Sequence, residues 1–77
     1  MAYYNNKSMI KQTNHSIFGK ILNPGEPAPC AGIYKCIYCG KEISCAHNHR
    51  LPPENDHEHD KSISIKWKLI VAANTLI

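Results

Sequence analysis

Four cysteines, Cys30, Cys36, Cys39 and Cys45, and four of the five histidines, His47, His49, His57 and His59, stand between positions 30 and 59. Thiolates and imidazoles are the ligands that zinc takes in structural sites. The sharpest local pattern is Cys36-Ile37-Tyr38-Cys39-Gly40. Two thiolates at this spacing chelate one ion, and the glycine lets the backbone turn tightly beneath it. A ribbon needs a second ligand pair on a separate turn, after roughly 15–20 residues. Seventeen residues lie between Cys39 and His57, and His57-Glu58-His59 follows the pair Pro52-Pro53. In an extended segment i and i+2 share a face, so both imidazoles can converge on one ion. The expected ligand set is therefore Cys36, Cys39, His57 and His59 around a structural Zn2+.

Other ligand sets compete with it. Cys45, His47 or His49 can supply the second pair if the return loop is very short. The four cysteines can form one site by themselves, although their symmetric spacing is cramped for two knuckles. Without a metal, the cysteines are small core residues or a redox pair and the histidines are solvated loop residues. Four sulfurs suit iron, whereas two sulfurs with two nitrogens favour zinc.

The elements around these ligands read as short and β-rich. Asn23-Pro24-Gly25-Glu26 is a turn, with proline presetting φ at the second position and glycine accepting a positive φ at the third. Gly32-Ile33-Tyr34-Lys35-Cys36 carries β-branched and aromatic residues, as strands do. Residues 42–46 return as the second strand of a hairpin. Residues 47–61 are polar, hold two prolines and form a loop unless something ties them down. Ile63, Ile65, Trp67, Leu69 and Val71 alternate with their neighbours, which predicts a half-buried strand with the odd-numbered face inward. Residues 1–22 are polar and asparagine-rich. They read as a flexible N-terminal arm with one short strand near residues 17–22, leaving 23–73 as the domain and 74–77 as a tail. The expected fold is small and all-β, stapled by metal, zinc-ribbon or rubredoxin-like, with a β-hairpin plus a C-terminal strand.

Size agrees with a staple. The chain has 77 residues, short for a self-sufficient core, and domains of this size often add a disulfide or a metal. Lys plus Arg is 9 against 6 for Asp plus Glu, a formal net charge of +3 with no run of like charges. That is a mildly basic surface, well short of a nucleic-acid footprint. The N-terminus lacks a basic then apolar signal pattern, and no stretch approaches a membrane span. A cytoplasmic protein without membrane attachment is expected, and there closely spaced cysteines point to metal more than to disulfides.

The segment Gly32-Ile33-Tyr34-Lys35-Cys36-Ile37-Tyr38-Cys39-Gly40-Lys41-Glu42 resembles a small bacterial family that carries the name protein L, unrelated to the immunoglobulin-binding protein so called. The likeness continues through Leu51-Pro52-Pro53, His57-Glu58-His59 and Ile65-Lys66-Trp67-Lys68-Leu69, most of residues 23–71. In those relatives a cysteine follows the proline pair, where this chain has Glu54. The resemblance implies a compact zinc-ribbon-like protein and brings no established activity.

Four classes of function follow. A metal-stapled module that binds another protein is favoured, with Tyr34, Tyr38, Tyr3 and Tyr4 as candidate anchors. A nucleic-acid-binding ribbon is the alternative, with Lys20, Lys35, Lys41, Arg50, Lys66 and Lys68 on one face and Tyr38 or Trp67 stacking on bases. His47-Asn48-His49 and Asp56-His57 resemble pieces of HNH nucleases, but no completing helix is readable, so no enzyme is expected. Metal handling or disulfide exchange at Cys36 and Cys39 is the fourth class, although redox motifs of this type open a helix and this one is followed by Gly40 and a strand-like segment.

Overall fold

The computed structural model describes residues 1–53 and 65–73. Four strands form one antiparallel sheet: β1 (Ile21–Leu22), β2 (Gly32–Cys36), β3 (Glu42–Cys45) and β4 (Trp67–Ala72), in the order β1-β4-β2-β3. The only helical turns among the described residues are two short 3-10 segments, Lys7–Met9 and Ser16–Gly19. The chain is thus a small all-β protein, and the hairpin and C-terminal strand expected from the pattern are both present. A short strand was also expected near residues 17–22; only its last two residues are strand, as β1, and Ser16–Gly19 ahead of it is a 3-10 turn.

The sheet has a covered face and an open one. Leu22, Tyr34, Cys36, Trp67 and Leu69 point to the covered face and are buried, together with Ala28, Cys30, Leu51 and Ile65 from the connections. Ile17, Phe18, Ile43 and Cys45 pack against this core. The chain covers its sheet with loops. That is why so many turn-forming residues stand between β1 and β2 and after β3.

These loops are laced together. The predicted turn forms, with Gly25 at φ +80° and the Glu26 N–H donating to the Asn23 carbonyl at 3.2 Å. Residues 25–28 then run antiparallel to 48–51. Gly25 N–H donates to the Leu51 carbonyl, Leu51 N–H to Glu26 and Ala28 N–H to His49, at 3.1, 2.8 and 2.8 Å. Arg50 adds a guanidinium bond to the Gly25 carbonyl at 2.8 Å. The start of the polar loop is therefore tied down, up to Leu51.

One expectation is corrected in β4. Trp67 and Leu69 face inward as read, but Val71 is exposed. The register explains it. Tyr34 pairs with Leu69 while Ile33 pairs with Val71, so Ile70 is an extra residue on β4. A bulge of this kind breaks the two-residue alternation and sends the following side chain to the other face. Ile65 is buried but lies ahead of the strand, and Ile63 lies outside the described residues.

Candidate metal centre

Cys36 ends β2 and opens the connection to β3. Its N–H donates to the Lys41 carbonyl at 2.8 Å, and its carbonyl accepts from Gly40 N–H at 2.9 Å. Gly40 adopts φ +82°, the left-handed region that a side chain rarely tolerates. Both cysteines therefore sit on one tight turn. Cys36 is fully buried against the core and Cys39 is exposed. The neighbouring Lys35 lies over the turn, with Cε 3.7 Å from where a Cβ on Gly40 would stand.

The other two cysteines lie elsewhere. Cys45 is the register partner of Gly32, at the opposite end of β2 from Cys36. Four residues of strand separate those ends by roughly 13 Å, too far for ligands that sit about 2.3 Å from a shared ion. Cys30 is fully buried, and its backbone N–H donates to the Tyr34 hydroxyl at 3.3 Å, which in turn donates to the Cys30 carbonyl. Burial pushes the Tyr34 phenol up to about 12, and negative charge at Cys30 and Cys45 would act in the same direction. The Cys45 thiol donates to the carbonyls of His49 and Arg50 at 3.5 and 3.8 Å, and burial raises its pKa. Cys45, at the end of β3, thus reaches the loop that carries His47 and His49. They do not share the turn that holds Cys36 and Cys39.

His57 and His59 lie outside the described residues. Among the described residues no three of His, Cys, Asp and Glu gather closely enough to hold an ion. What the structure does describe is both flanks of segment 54–64. On one side the Trp67 indole donates to the Pro52 carbonyl at 3.4 Å. On the other, Ile37 N–H donates to the Lys66 carbonyl at 3.0 Å. Trp67 is also the register partner of Cys36. Both flanks are therefore tied beside the cysteine turn, a non-local arrangement that no spacing rule announces.

The aromatic and basic residues singled out from the sequence divide by burial. Tyr34 and Trp67 are fully buried, whereas Tyr3, Tyr4 and Tyr38 are exposed. Arg50 is engaged with Gly25, and the Lys66 ammonium donates to the Asn23 side chain.

The chain is 49% identical to Protein L of Escherichia coli over 53 residues, 69% of this chain and 61% of that protein. The resemblance to protein L holds. The chain spans about three fifths of the length of that relative. It is also 44% identical over 34 residues to an uncharacterized protein of Mycobacterium tuberculosis, 44% of this chain and 34% of that protein. Neither name states an activity. No family model matches the chain, and no solved structure matches it. Among the described residues no helix is long and apolar enough to cross a membrane.

Proposed function

We propose that this protein L relative is a small structural-zinc module that binds another protein and has no catalysis of its own. Cys36 and Cys39 supply two thiolates, and His57 and His59 supply two imidazoles from segment 54–64. The observation that carries this reading is the anchoring of both flanks of that segment beside the cysteine turn, through Pro52 and Lys66. A segment tied at both ends costs less entropy to close around an ion than a free tail. The donor chemistry fits zinc, since thiolate and imidazole are its usual structural ligands.

Native mass spectrometry with elemental analysis tests it. One zinc per chain is expected for the wild type and for Cys45→Ser, with loss in Cys36→Ser and His57→Ala. Full retention in Cys36→Ser would sink the proposal. Zinc kept in His57→Ala but lost in Cys45→Ser would overturn the proposed ligand set. The cellular site consistent with this role is the cytoplasm, where thiolates stay reduced for metal.

The second reading, a nucleic-acid-binding ribbon, draws on Lys35 and Lys68, which are register partners on adjacent strands. Fluorescence anisotropy with mixed-sequence oligonucleotides separates the two. The protein-binding role predicts no salt-dependent rise at low salt.

A further inference from the structure

The open face of the sheet combines basic and aliphatic residues. One row crosses all four strands, Ile21–Lys68–Lys35–Glu42, each residue paired in register with the next. Lys68 and Lys35 are therefore like charges set directly opposite each other, an arrangement that destabilises an isolated sheet. Neither ammonium has an ion-pair partner among the described residues, and the Glu42 carboxylate is engaged by the Met1 amino group at 2.8 Å. Beside this row stands Val71 opposite Ile33, and Ile37 follows in the turn after β2. Ile21, Ile37 and Val71 are 50, 42 and 37% exposed. At the β3 edge the face runs into a groove of about 340 Å³ between residues 1–3 and Ile33, Glu42 and Ser44.

We propose that this open face binds an acidic segment of a partner protein that also carries aliphatic side chains. The inference rests on the protein-binding reading above and names its surface and the chemistry of its partner. Carboxylates complement the opposed lysines, removing a repulsion that the free protein carries. The flanking Ile21, Ile33, Ile37 and Val71 reward aliphatic contacts with the hydrophobic term. A second copy of this chain is disfavoured, because apposing two such faces doubles the lysine charge. Nucleic acid is disfavoured because these rows hold no aromatic ring, and stacking supplies much of single-strand affinity.

The test uses the full chain with its zinc content measured in every sample. A short fluorescein-labelled peptide of alternating glutamate and leucine is titrated by anisotropy. Its glutamine-leucine counterpart, a mixed-sequence single-stranded oligonucleotide and phosphatidylglycerol vesicles are titrated in parallel. The acidic peptide is expected to bind most tightly, and Lys35→Glu with Lys68→Glu to weaken it by about tenfold or more. Lys7→Glu with Lys11→Glu, the same charge change on residues 1–22, should leave binding near the wild-type value. If the reversed pair fails to fold, Lys35→Gln with Lys68→Gln replaces it and a smaller loss is expected. Equal binding by wild type and the folded lysine variant overturns the proposal. So does tighter binding of the oligonucleotide or the vesicles, or no binding of the acidic peptide. A chain that binds peptide but lacks zinc refutes the metal reading alone.

Discussion

Gly32 is where one added methyl group would be felt most. A Cβ there would stand 2.1 Å from the Val71 carbonyl oxygen and 3.1 Å from the Ala72 Cα, both backbone atoms of the paired strand. Neither can swing aside. Gly32→Ala is expected to destabilise by about 1–3 kcal/mol, as overpacking typically does, seen as a lower urea midpoint with unchanged slope. Tyr34 offers a second measurement. Its buried hydroxyl is bonded to both the N–H and the carbonyl of Cys30. Tyr34→Phe leaves those groups without their partner and should cost about 1–3 kcal/mol in the same assay. In the wild type the phenol titrates at about 12 in the folded state against an ordinary value of 10.0. Unfolded chains therefore release this proton first. The stabilisation is complete below pH 10 and is lost as pH rises from 10 towards 12. Unfolding followed across that window should show stability falling, with the fall reduced in Tyr34→Phe.

At the scale of elements, much of the fold was legible because its signals are local. The type II turn at Pro24-Gly25, the strand before Cys36 and the return at Glu42 are each written in adjacent residues. Trp67 and Leu69 declared their inward face through alternation, and the bulge at Ile70 then reversed it for Val71. A bulge leaves no mark in a two-residue pattern, since Ile70 and Val71 are equally plausible inward residues. The consequence is measurable. Leu69→Ala should cost about 2–5 kcal/mol, the range for emptying a buried aliphatic site. Val71→Thr, on the exposed side, should stay within about 0.5 kcal/mol. Equal costs for the two would show that the alternation continues without a bulge. The pairing of residues 25–28 with 48–51 was illegible for another reason. It joins two segments rich in turn-forming and polar residues, whose backbone bonds carry no side-chain signature.

At the scale of the whole molecule, half of the candidate site was written in five consecutive residues and half was not. Cys36, Cys39 and Gly40 specify their turn by themselves. The proposed partner ligands lie in segment 54–64, whose flanks are tied by non-local bonds of Trp67 to Pro52 and of Ile37 to Lys66. If zinc joins these parts, the ion contributes to folding directly, on the order of 10 kcal/mol in small zinc domains. Treatment with a chelator should then abolish the far-ultraviolet β signal, and added zinc should restore it. A chain that keeps its β signal without metal would make the ion dispensable for the fold.

The strand order carries a consequence for biosynthesis. β4 is the last of the described strands in sequence, yet it lies between β1 and β2. A nascent chain that has emerged only as far as β3 holds a lone hairpin, with Leu22 and Tyr34 lacking the strand that covers them. Such a hairpin is marginal in water. The residues up to the end of β3 must therefore wait, exposed, until Trp67 and Leu69 leave the ribosome. Folding on the ribosome is thus expected in one late step, after β4 emerges.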